Sequence, residues 1–229
     1  MKLGVLETGF PPEPMEAEFG DYPAMFRDLL GESFDWRSYD VQAGDWPERP
    51  EAEDGYIVTG SAAGVYEDDV WIARLLEFLR GARGKAMLVG ICFGHQAMAQ
   101  AFGGKVIKSP KGWGVGLHTY DVLVHEPWMD ASPTISVPAS HQDQVVELPP
   151  GARVLAASAF TPHGMLDYGQ GAISLQLHPE FEPAYAEALI ESRREARLSH
   201  EMADTAISSL HQPNDNRRVG DWLRRFLIG

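Results

Sequence analysis

Short apolar runs that end at glycine and alternate with helical spacing constrain this chain more than any other feature. KLGVLE (2–7) reads as a buried strand, and an acidic, proline-rich loop follows over 11–23. PAMFRDLLG then has helical spacing at Met25, Phe26, Leu29 and Leu30, with Gly31 as C-cap. FDWRSYDV alternates Phe34, Trp36 and Ser38 against Asp35, Arg37 and Tyr39, the pattern of a half-buried strand. GYIVTG (55–60) is a short apolar strand closing in a glycine turn. DDVWIARLLEFLRG is an amphipathic helix with Asp68 and Asp69 near its positive end. AMLVGI (86–91) is again apolar, and GHQAMAQAFGG is a helix closed by two glycines. Strand and helix in this order predict an α/β sheet, largely parallel, with helices on both faces.

From about residue 112 the pattern changes to strands and turns: GWGVGLHTYDVLV, PTISVPAS, ARVLAAS, HGMLDY and AISLQLH. An antiparallel extension of the same sheet accounts for them most simply. From Pro183 the spacing is helical to the end, interrupted by the turn signal QPNDN. No repeat or long linker divides the chain, so 1–229 is expected to be one domain, with 183–229 a helical C-terminal extension. At 229 residues it has ample length for a sizeable core.

A formal charge of −14 argues against nucleic acid or an anionic membrane as the main partner. One cysteine excludes an internal disulfide and any metal site built on several cysteines. The apolar run before Glu7 is too short for a secretory signal, and no stretch is long enough for a membrane span. A reducing cytoplasm is therefore expected, with no cofactor and no metal.

That single cysteine is Cys92 in VGICFGHQ, bracketed by Gly90 and Gly94. The G-x-C-x-G spacing suits a strand-to-helix elbow that presents a nucleophile, because flanking side chains must be absent for the backbones to approach. The helix beginning beneath it would favour thiolate and supply the Phe93 N–H to an oxyanion. The pattern alone also fits a buried structural thiol. A nucleophile needs a base and the base an orienting group. His178 stands out in LQLHPEF, at the end of an apolar strand, with Glu180 two residues on and Pro179 forcing an irregular exit. His141 is a rival base, and His95, beside the elbow, a weaker one. A zinc pair at 178 and 180 lacks a third ligand nearby. Trp113 in KGWGVG reads as packing.

GICFGHQ and LQLHPEF, 86 positions apart from Cys92 to His178, together resemble the class I (triad) glutamine amidotransferase family. The likeness spans roughly residues 3–190, and the helical C-terminal extension with no synthase domain attached is similar to the family's free-standing branch, GMP synthase glutaminase-like or γ-glutamyl peptidase-like. It implies a three-layer, flavodoxin-like open sheet and a Cys92-His178-Glu180 triad that hydrolyses glutamine or a γ-glutamyl compound through a thioester. It further implies an oxyanion hole from the N–H groups of Phe93 and Ser61, the latter in the Thr59-Gly60-Ser61 turn. Gln96 matches the family's C-x-G-x-Q. Ser140-His141-Gln142-Asp143 resembles its S-H-x-D segment, which helps hold the substrate's α-amino and α-carboxylate groups. Gly60, Gln96, Ser140 and His141 are thus the expected substrate contacts. One departure is TGSAAG, where many glutamine-dependent members read S-G-G-P or P-G-x-G. A less glycine-rich turn forms the hole less readily or admits a different substrate. The expected partner is a small-molecule substrate. An ammonia-accepting synthase, or a catalytically silent binding protein, are the alternative readings.

Overall fold

The computed structural model describes all 229 residues. In chain order the elements are β1 (Lys2–Glu7), α1 (Met15–Phe19), α2 (Tyr22–Leu30), β2 (Asp35–Asp40), β3 (Gly55–Val58), α3 (Val70–Ala82), β4 (Met87–Ile91) and α4 (Phe93–Ala101). There follow β5 (Lys105–Lys108), β6 (Gly114–Val122), β7 (Thr134–His141), β8 (Asp143–Glu147), β9 (Arg153–Ala157), β10 (Met165–Gly169) and β11 (Ala172–Leu175). The chain closes with α5 (Pro183–Ser192), α6 (His200–Leu210) and α7 (Asn216–Ile228).

Nine strands form one sheet in the order β2-β1-β3-β4-β11-β10-β9-β6-β7. The first five are mutually parallel, and every later pairing is antiparallel. The order 2-1-3-4 gives the expected flavodoxin-like arrangement, in which chain reversal beside β1 opens a crevice at the carboxyl ends of the strands. Adjacent residues of a strand face opposite sides, so Ile57 packs with Leu3, Phe26 and Trp222, while Tyr56 and Val58 pack with Leu75, Leu79 and Met98. These two cores are the interfaces of a three-layer α/β sandwich.

α7 is not an appendage. Val219, Trp222, Leu223, Phe226 and Leu227 belong to the same core as Leu3 and Phe26, and α7 packs on α2. Its entry is pinned to β7, where Asp215 N–H donates to Ser136 O at 2.7 Å and Asp215 Oδ2 accepts from Ser136 N–H at 2.8 Å.

The structure differs from the sequence pattern in three places. The segment expected as an open loop contains α1, because Met15 is buried and Phe19 meets Tyr185 edge-on at 5.6 Å. Prolines and glutamates mask these two anchors in the sequence. The strand at 35–40 is an edge with Trp36 and Tyr39 half-buried, rather than one alternating face. Finally, β5 and β8 form a separate two-stranded sheet, a long-range pairing for which neither segment carries a local signal. No helix is long and apolar enough to cross a membrane.

Candidate active site

β3, β4 and β11 lie side by side and parallel, so their carboxyl ends gather residues 59–61, Cys92 and His178 at one edge of the sheet. β4 turns directly into α4 at Cys92, whose φ of 52° and ψ of −100° are costly for a side-chain-bearing residue. The surroundings enforce that conformation. Cys92 N–H donates to Leu175 O at 2.8 Å, and Gly94 N–H donates to Thr59 O at 3.1 Å. A Cβ on Gly90 would fall 2.5 Å from Gly94 O, and one on Gly94 would overlap the Val58 carbonyl. Both glycines are therefore demanded by the close approach of β3, β4 and α4.

His178 is 3% exposed and Glu180 4%. The His178 Nδ1–H donates to Glu180 Oε1 at 2.7 Å, since a carboxylate can only accept, which leaves Nε2 for other work. The ring lies flat on Phe181, with centroids 3.9 Å apart and planes within 8°. The backbone at Gly60 closes another side, where a Cβ would lie 3.1 Å from His178 Cε1 and 3.8 Å from Cys92 Cβ. Burial opposes charge on this ring, but Glu180 and then Cys92 outweigh it and push the pKa well above the ordinary histidine value.

The turn after β3 is held from behind. Thr8 Oγ1 lies 2.9 Å from Thr59 O and 3.2 Å from Gly60 O, both acceptors for its hydroxyl. Thr8 N–H in turn donates to Thr59 Oγ1 at 2.9 Å. In a trans peptide the C=O and N–H point opposite ways, so a Gly60 carbonyl turned to Thr8 directs the Ser61 N–H away from it. Neither the Ser61 N–H nor the Phe93 N–H at the start of α4 has a protein acceptor.

The other expected contacts divide. Ser140, His141 and Gln96 line a cavity of about 440 Å³ together with Cys92 and Ser61. Ser140 O is 4.0 Å from Cys92 Sγ. Gln96 Nε2 is committed to Asp143 O at 3.1 Å and Gln176 Oε1 at 3.2 Å. His141 directs Nδ1 to Asp143 O at 3.1 Å and Nε2 to Thr161 Oγ1 at 3.5 Å, and burial lowers its pKa to about 3. A neutral ring with both nitrogens occupied is a poor rival to His178 as base. His95 is fully buried behind the elbow, with Nδ1 2.7 Å from Ser174 Oγ, and burial lowers it to about 3 as well.

Several cavity residues escape a sequence reading. Trp113, read as packing, lines the cavity, as do Tyr66, Glu67, Lys108, Arg193 and Arg197. Arg193 donates to Ser140 Oγ at 2.6 Å and lies 5.4 Å from the Trp113 ring centre. SRREARL carries no motif that separates its cavity-facing arginines from solvated ones, so only the tertiary contacts identify them.

A strained thiol, an imidazole bonded to a carboxylate and two free N–H groups, the group types acyl transfer uses, thus gather at one edge of the sheet, where the sulfur's hydrogen bond goes to Ser140 O. A family profile described as glutamine amidotransferase class-I matches residues 33–193. A glutamine amidotransferase-like protein of Schizosaccharomyces pombe is 26% identical over 243 residues, covering 99% of this chain and 98% of its own. Gamma-glutamyl peptidase 4 of Arabidopsis thaliana is 32% identical over 173 residues, 71% of this chain and 69% of that protein. A solved glutamine amidotransferase structure from Thermotoga maritima covers 99% of this chain and 96% of its own at a TM-score of 0.77, with 18% identity, a likeness of fold.

Proposed function

Because the chain belongs to the class-I glutamine amidotransferase family, we propose that it hydrolyses the γ-amide of glutamine or of a γ-glutamyl compound through a thioester on Cys92. His178 Nε2 takes the thiol proton, and the sulfur attacks the γ-carbonyl carbon. The negative oxygen that forms lies between the N–H groups of Phe93 and Ser61. As the C–N bond breaks, His178 returns the proton to the departing ammonia or amine. Water, deprotonated by the same ring, then attacks the thioester and releases glutamate. Glu180 holds the ring in the tautomer these steps need and stabilises its charged form. Gly60 leaves room for the reacting carbonyl, while Gln96, Ser140 and His141 shape the wall against the γ-glutamyl group. The setting is a reducing cytoplasm, where a lone thiol stays free.

The observation that carries this reading is the 2.7 Å bond from His178 to Glu180 on a ring packed between Phe181 and the Gly60 turn, beside the strained Cys92. The test is glutamate release from glutamine and from a γ-glutamyl dipeptide, with Cys92→Ala as blank. Release that depends on Cys92 supports the reading, whereas full activity in Cys92→Ala would sink it.

A further inference from the structure

The cavity beside Cys92 contains more positive charge than the reaction centre accounts for. Three cations line it, Lys108, Arg193 and Arg197, against two carboxylates, Glu67 and Asp143. The chain as a whole carries −14, so a local excess of cations is contrary to its composition. The carboxylates have partners within the protein. Glu67 Oε1 accepts from Gly64 N–H at 2.9 Å, and Asp143 interacts with the Tyr66 hydroxyl.

Lys108 faces Asp143 across the β5–β8 pair, but the two arginines have no carboxylate counter-ion. The adjacent Arg194, by contrast, is gripped by Glu191 and Asp204, each at 2.8 Å. Arg193 is half-buried, and its one side-chain hydrogen bond goes to Ser140. Removing a guanidinium from water without a carboxylate partner is costly, and a ligand anion offsets that cost. Arg197 N–H donates to Arg193 O at 2.9 Å, closing an α-turn that brings the two residues to one side of the chain. Arg193 lies inward against Ser140, while Arg197 and Lys108 are exposed at the rim.

Glutamine is a zwitterion with one carboxylate and no net charge. A γ-glutamyl amino acid or peptide carries a second carboxylate on its leaving group and a net charge of −1, which matches the excess of one cation in the lining.

We propose that Arg197 and Lys108 form a subsite for the carboxylate of the leaving group, with Arg193 inside taking the α-carboxylate of the γ-glutamyl moiety. This rests on the hydrolase reading above and extends it to a class of substrate. The cleaved bond joins the γ-carbonyl to the nitrogen of an amino acid or peptide with a free carboxyl end.

The test compares γ-glutamylglycine, γ-glutamylglycinamide and glutamine at low ionic strength, with wild type, Arg197→Gln, Arg197→Lys and Cys92→Ala. The glycinamide retains the reacting bond and loses only the leaving-group charge. Wild type should favour the acid over the amide by ~10-fold or more in kcat/KM, the usual scale for a charge-assisted contact. Arg197→Gln should reduce that ratio below ~3-fold, Arg197→Lys should retain part of it, and added salt should weaken it. Arg197 is exposed, and matching melting curves will show that its variants fold. Cys92-dependent hydrolysis with an acid-to-amide ratio near one, or a ratio unchanged in Arg197→Gln, overturns the subsite and leaves the hydrolase reading standing. Hydrolysis of none of the three, or hydrolysis that persists in Cys92→Ala, overturns the hydrolase reading and the subsite with it.

Discussion

Gly60 and Gly94 sit on either side of the elbow, and replacing each by alanine should separate catalysis from folding. Gly60 does not occupy the left-handed region, so its backbone tolerates alanine. The new methyl would meet His178 Cε1 at 3.1 Å, short of ordinary 3.4 Å contact by about 0.3 Å. The ring cannot retreat through Phe181, which it stacks against at 3.9 Å, so it must slide or tilt against its bond to Glu180. If a 1 Å misplacement costs about 10²-fold, a shift of about 0.3 Å costs ~4-fold. The methyl also lies 3.8 Å from Cys92 Cβ and narrows the space beside the thiol, so the expected loss in kcat is ~4- to 100-fold. Stability should barely move, because ~0.4–1 kcal/mol gained by restricting the unfolded chain offsets mild overpacking of ~1 kcal/mol. Gly94→Ala should behave oppositely. Its methyl would overlap the Val58 carbonyl and lie 2.8 Å from Val58 Cβ, forcing β3 and α4 apart and weakening the bond from Gly94 to Thr59. Overpacking and the lost bond cost ~2–4 kcal/mol together, or ~4–16 °C in Tm for a chain of this size. Steady-state kinetics on a γ-glutamyl dipeptide and thermal melts read both effects. Full kcat in Gly60→Ala, or an unchanged Tm in Gly94→Ala, would refute the packing argument.

Three further outcomes follow from the site. Glu180→Gln should lower kcat by ~10²- to 10⁴-fold, as for loss of the orienting carboxylate in other triads. The raised His178 pKa contributes stability fully below its unfolded value of ~6.5 and loses it as pH rises through the folded value, so the gap in Tm between wild type and Glu180→Gln should be widest near pH 6 and narrow in alkali; a pH-independent gap contradicts this. Thr8→Val keeps the shape but frees the Gly60 carbonyl, so kcat should fall ~10-fold with little change in KM, and Thr8→Ser should restore it; an unaltered kcat would mean the turn holds itself. His95 is neutral when folded down to about pH 3 and takes up a proton when unfolded below ~6.5, so it lowers stability as pH falls between those values. In chemical denaturation between pH 4.5 and 6, His95→Gln should make that slope shallower by up to ~1.4 kcal/mol per pH unit. An equal slope would place its titration elsewhere.

The residues whose roles depend on local geometry could be read from the sequence. G-x-C-x-G identified the elbow because only glycines allow β3, β4 and α4 to approach so closely, and the overlaps at Gly90 and Gly94 are the physical form of that pattern. His178-Pro179-Glu180 was equally legible, because two residues separated by a proline at a strand end can bond without help from distant chain. The parallel half of the sheet followed from hydrophobic periodicity, which reports burial one element at a time.

Whatever needed two distant segments to meet was hidden. β5 and β8 pair across a long stretch of chain, α1 exists because Met15 and Phe19 find α5, and α7 completes the core around Leu3 and Phe26. The same holds within the site. Thr8 lies 51 residues from the turn it supports, and Arg193 lies 53 residues from Ser140. Arginines 193, 194 and 197 look alike in the sequence. Their difference is that Glu191 and Asp204 neutralise Arg194 while the chain's path turns Arg193 and Arg197 into the cavity. Sequence spacing determined the chemistry around the sulfur, because bonded neighbours impose it. Tertiary structure alone decided which charges line the cavity beside it, because electrostatic partners act through space and take no account of order along the chain.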